Sequence, residues 1–62
     1  MRGNLTPTEQ SIVDYIRNQA LSNAAIAEQL GCMERTVESH IRNINRKLGT
    51  KNRTEIAIRK SE

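Results

Sequence analysis

The sequence predicts an all-α fold, a compact bundle of four helices with a sharp turn between the second and the third. Three observations predict it. Apolar positions recur at spacings of three and four residues, which marks one buried helix face and not a strand. The apolar set is Leu, Ile, Val and Ala with a single Tyr and neither Trp nor Phe, so the core has to come from aliphatic stripes. Helix-starting and helix-ending residues punctuate the chain at Thr6-Pro7, Ser22, Gly31, Gly49 and Asn52. At 62 residues the chain, 1–62, reads as one domain, near the lower size at which a core holds without metal or disulfides.

Residues 1–4 are expected to form a flexible leader. Thr6-Pro7-Thr8-Glu9 has the form of a capping box, Thr6 and Glu9 each satisfying the other's free amide, with Pro7 placed where its missing N–H does no harm. The first helix is therefore expected over 7–18, burying Ile12, Val13 and Ile16, with Tyr15 half-buried beside them. Ser22 caps a second helix over 23–30, whose Ile26, Ala27 and Leu30 face inward and which Gly31 ends by turning left-handed. A few residues later a third helix begins and runs over 34–48. This is the pattern of a helix-turn-helix. Ala27 suits a close helix crossing and Val37 the first inward position of the third helix. Gly49 closes that helix, and Asn52-Arg53-Thr54-Glu55 reads as a second capping box that opens a fourth over 53–60.

The third helix is the most informative segment. Counting about 100° per residue from Val37 puts Ile41, Ile44 and Leu48 within about 40° of it, and Arg35, Ser39, Arg42 and Arg46 about 140–200° away. One side is a narrow aliphatic seam; the opposite side is arginine. Only Glu38, about 100° from Val37, borders the arginine stripe with an acid. Charge is divided the same way along the chain: Glu9, Asp14 and Glu28 outnumber Arg17 in 5–30, whereas Arg35, Arg42, Arg46, Lys47, Lys51 and Arg53 outnumber Glu34 and Glu38 in 34–53. The isoelectric point near 9.6 fits a polyanionic partner. Guanidinium groups on such a face can fork onto phosphate oxygens or a guanine edge.

Several function classes are excluded. No apolar run is long enough for a membrane span or a signal peptide, so a cytoplasmic protein is expected. The single Cys32 allows no internal disulfide, and with the single His40 it offers too few ligands for zinc. No nucleophile, paired carboxylates or metal cluster can be assembled, so no enzyme, cofactor or metal is expected. Cys32 reads as a small apolar filler, and His40 as packing or a phosphate contact.

Four stretches, Leu-Thr-Pro-Thr-Glu at 5–9, LSNAAIAEQLG at 21–31, RTVESHI at 35–41 and NRKLGTKNRTE at 45–55, resemble in order the LuxR, FixJ and GerE type of bacterial helix-turn-helix. The resemblance implies sequence-specific binding of double-stranded DNA for transcriptional regulation, the helix over 34–48 reading the major groove. By the family pattern it implies base contacts from Arg35, Glu38, Ser39 and Arg42. Phosphate contacts fall to Ser22, Asn23, Thr36, Lys47, Lys51 and Arg53, with Arg46 joining them from the end of the reading helix. The resemblance also implies a weak homodimer completed on DNA, through a fourth helix on which Ile58 is the apolar residue left exposed, with RNA polymerase as a further partner. Two other functions stay open on the sequence: a sigma-factor-like region, and an adaptor that binds an acidic protein with the same face.

The chain departs from the family pattern in five places. One extra residue separates Thr6 from Leu21-Ser22, and Gln19-Ala20 stands where a Gly is usual before Leu21, which leaves Asn18 as the residue expected to turn left-handed. Ala24-Ala25 replaces a basic and acidic pair, and Met33 replaces a capping Ser or Thr. Glu38 replaces a base or neutral residue. It has two readings: acceptance from a cytosine amino group, or an ion pair with Arg42 four residues on.

Overall fold

A computed structural model of the protein describes residues 4–58. The chain forms α1 (Pro7–Asp14), continued by one π-helical turn (Tyr15–Gln19), then α2 (Asn23–Leu30), α3 (Glu34–Leu48) and α4 (Arg53–Ile58). The expected all-α class is found. The expected end of the fourth helix at 59–60 and the first three residues of the expected leader lie outside the described residues. Asn4, the last leader residue, is held in place: its carbonyl accepts a hydrogen bond from Lys47 Nζ at 3.2 Å.

Each helix adds its apolar stripe to one core. Ile12, Val13 and Ile16 meet Ile26 and Ala27 of α2, Val37, Ile41 and Ile44 of α3, and Ile56 of α4, all buried. Leu5, Tyr15, Leu21, Leu30, Cys32 and Leu48 seal its edges half-buried. Removing each such isoleucine from water contributes roughly 1.5–3 kcal/mol, so the three-residue and four-residue spacing is what drives the helices together.

Local bonds set where the helices begin and end. Thr6 Oγ1 accepts from Glu9 N–H at 3.1 Å, and Glu9 Oε1 accepts from Thr6 N–H at 3.0 Å, completing the first capping box. Ser22 Oγ accepts from Ala25 N–H at 3.2 Å. Gly31 and Gly49 are left-handed, at φ 70° and 73°, so that Cys32 N–H reaches Ala27 O and Thr50 N–H reaches Asn45 O, each at 3.0 Å. Met33 supplies no side-chain cap to α3. The second capping box is displaced by one residue: Asn52 Oδ1 accepts from Glu55 N–H at 3.0 Å, but Glu55 Oε1 accepts from Lys51 N–H and not from Asn52.

The first helix differs most from expectation. It runs on to Gln19 and widens into a π turn at Tyr15, and the left-handed residue is Ala20, at φ 52° and ψ 38°, where Asn18 was expected. The extra residue explains both differences. Widening the last turn, so that Ala20 N–H reaches back to Tyr15 O, absorbs one residue within the helix and defers the reversal past Asn18. A left-handed alanine costs about 1–2 kcal/mol, partly offset because alanine loses less chain entropy than glycine. Ala20→Gly is therefore expected to raise stability by about 0.5–1 kcal/mol, read as a higher urea midpoint. An unchanged or lower midpoint would mean that Ala20 is not strained. From the same turn Arg17 Nε donates to Ile56 O at 2.9 Å, tying the π turn to α4.

Candidate nucleic-acid interface

α2, the tight turn at 31–33 and α3 form the helix-turn-helix, and its geometry divides α3 into two sides. Val37 and Ile44 are fully buried and Ile41 is 7% exposed. Arg35, Glu38, Ser39, Arg42 and Arg46 are all exposed on the opposite side. The four residues expected to meet base edges thus share one open surface. The reason is local: a 15-residue helix with its apolar residues confined to one seam must turn everything half a revolution away toward solvent. Among the described residues Glu38 pairs with neither Arg35 nor Arg42. An exposed pair at that spacing contributes only about 0.3–0.5 kcal/mol, too little to hold the carboxylate against a better donor.

Apart from Arg46, which is exposed on the arginine stripe, the residues expected on phosphates fall into two groups. At the start of α2, Ser22 is exposed and Asn23 half-buried, and Asn23 Oδ1 accepts from Arg53 Nε at 2.9 Å. That bond ties the start of α4 to the start of α2 and brings Arg53, its neighbour Lys51 and Ser22 to one corner beside the helix-turn-helix. Arg53 Nη2 is buried without a hydrogen-bond partner among the described residues, and packing helps hold the guanidinium in place. On α3, Thr36 and Lys47 stand apart from the arginine stripe, on the flank that also carries the half-buried His40.

Lys47 has a structural partner that the sequence did not reveal. Its ammonium lies 2.7 Å from Glu9 Oε1, joining the end of α3 to the first turn of α1. Glu9 is buried, at 4% exposure. Burial pushes its carboxyl upward, but the Lys47 and Thr6 hydrogen bonds, the charge of Lys47 and a smaller contribution from His40 together hold it below its ordinary value. A signal existed, because Lys47 lies about 80° from Val37, on the shoulder of the core seam and well away from the arginines.

The sign of the pH dependence follows. A carboxyl lowered in the folded state contributes stability that is complete above its unfolded pKa, about 4.3, and is lost as the pH falls through the folded value. Stability is expected to drop below about pH 4.5 and Glu9→Gln to flatten that drop, while costing about 1–2 kcal/mol at neutral pH. Urea unfolding at neutral and acid pH checks this, and an equal acid loss in the variant would assign the pH dependence to other carboxyls.

Comparison with known proteins agrees with this geometry. The family model of bacterial regulatory proteins, luxR family, matches residues 3–59. The chain belongs to the luxR family. Across 54 residues this luxR-family domain is 39% identical to HTH-type transcriptional regulators of Mycobacterium tuberculosis and Mycobacterium bovis, covering 87% of the chain but 6% of theirs. Across 53 residues it is 42% identical to the response regulator Rre1 of Synechocystis, covering 86% of the chain and 22% of that protein. The luxR-family domain therefore spans a small part of the length of the relatives it matches. No solved structure matches it significantly. Among the described residues no helix is long and apolar enough to cross a membrane.

Proposed function

We infer that this domain binds double-stranded DNA in a sequence-dependent way and serves transcriptional regulation in the bacterial cytoplasm, with α3 lying in the major groove. The observation that carries this reading is the exposed stripe of Arg35, Ser39, Arg42 and Arg46, opposite a buried seam on one helix of a luxR-family helix-turn-helix. Arg35, Glu38, Ser39 and Arg42 meet base edges and supply preference. Ser22, Asn23, Thr36, Arg46, Lys51 and Arg53 meet phosphates and supply affinity. Lys47 joins them only by giving up part of its hold on Glu9, so its contribution to binding is smaller than its charge suggests. Ile58, 70% exposed on α4, lies on the surface where a second copy packs. A single helix over the expected 53–60 offers far less area than a stable interface needs, so the pair is completed on DNA.

The test is a duplex titration over a range of salt concentrations. Log affinity should fall linearly with log salt, with a slope of about −0.9 for each phosphate neutralised. Binding that does not respond to salt, or none at all by a folded chain, removes the reading.

A further inference from the structure

We propose that Glu38 selects a cytosine, on one of the two base pairs lying between those that Arg35 and Arg42 meet. The proposal rests on the reading of α3 as the groove helix and adds to it the identity of a base. Its observation is a carboxylate exposed on an otherwise arginine and serine face, with no ion pair to either flanking arginine among the described residues.

A carboxylate only accepts hydrogen bonds. Brought up to a polyanion it is repelled, and the approach is tolerated only where a donor meets it. Guanine presents two acceptors in the major groove and thymine an acceptor and a methyl group, so both leave Glu38 unsatisfied and repelled. Adenine offers its N6 amino group beside the N7 acceptor, which repels the second carboxylate oxygen. Cytosine presents its N4 amino group with an acceptor, O6 of the paired guanine, on one side only and a C–H edge on the other, whereas the adenine amino group stands between N7 and O4 of the paired thymine. The carboxylate therefore rejects two bases outright and ranks cytosine above adenine. The flanking residues set the frame. Arg35 and Arg42 stand three residues before and four after Glu38, so the three span about 10 Å of helix axis, or roughly three base-pair steps at about 3.4 Å each. Arginine favours guanine. The half-site is accordingly two base pairs, one bearing the cytosine, bracketed by guanine-bearing pairs, with the strand of each guanine left to the docking angle.

Selection of bound sequences from random duplex DNA tests this, run in parallel for the wild type, Glu38→Gln and Glu38→Ala. Circular dichroism serves as the folding control, because Glu38 is exposed. The wild type should select cytosine at one position, with on the order of ten-fold discrimination against guanine and thymine. Glu38→Gln, whose amide can both donate and accept, should shift that position toward adenine, and Glu38→Ala should flatten it. The neighbouring positions should stay as they were in both. Cytosine retained by Glu38→Ala overturns the proposal, as does a uniform gain in affinity for all sequences, which would make Glu38 a source of plain repulsion. A wild type that is folded yet selects no sequence overturns DNA reading by α3 itself, an outcome distinct from a selected site that is indifferent to Glu38.

Discussion

Ile44→Ala is expected to leave the domain largely unfolded at room temperature. Ile44 is fully buried among the apolar residues of α1, α2 and α4, and truncating a buried isoleucine to alanine costs about 2–5 kcal/mol. A single aliphatic core in a chain of 62 residues yields little more than about 3–5 kcal/mol of net stability. The loss and the whole stability are thus of the same size. Far-ultraviolet circular dichroism should show most of the helical signal gone without denaturant, while Ile44→Val, costing about 0.5–1.5 kcal/mol, should stay folded with a lower urea midpoint. A folded Ile44→Ala with an unchanged midpoint would mean that α3 does not pack by this seam.

Arg42→Ala is expected to cost about 1–3 kcal/mol of binding on the preferred sequence and much less on unrelated duplex. Arg42 is exposed on the face opposite Ile44, so its removal should spare the fold. The difference between the two duplexes matters more than either loss. A bidentate contact to a guanine edge belongs to one sequence, whereas a phosphate contact is present on all of them. Parallel titrations at one salt concentration measure both, and equal losses would move Arg42 from base reading to backbone contact.

Much of the fold was legible in the sequence because its signals are local. The Val37, Ile41 and Ile44 seam shows as a period within one helix, and Thr6, Ser22, Gly31 and Gly49 act within a few residues of where they stand. The misplaced reversal at Asn18 came from a different source. An extra residue can be absorbed by a loop or by a wider helical turn, and nothing in Arg17-Asn18-Gln19 distinguishes the two before packing does. The exposed surface of α3 was equally legible, since the seam dictates its opposite. The ties across the chain were not. Glu9 with Lys47, Arg17 with the Ile56 carbonyl and Arg53 with Asn23 each join residues thirty or more positions apart. In the sequence Lys47 and Arg53 read as contacts for phosphate, Arg17 as one charge among others and Glu9 as half of a capping box. Burial decides among those readings, and burial is a property of the assembled bundle.

The π turn also separates what is negotiable in this small fold from what is not. Because the ring closing at Tyr15–Gln19 takes in a whole residue while Ile12, Val13 and Ile16 stay buried, the link between the first two helices behaves as slack, able to be let out by one unit without disturbing the packing on either side. The link between α2 and α3 has no such give. Gly31, Cys32 and Met33 span the whole distance from Leu30 to Glu34, and Cys32 is already folded back onto Ala27. Lengthening that link would rotate the arginine side of α3 relative to α2. Variation in chain length among domains of this kind should therefore collect before Leu21 and stay out of the three residues that set the orientation of α3 against α2.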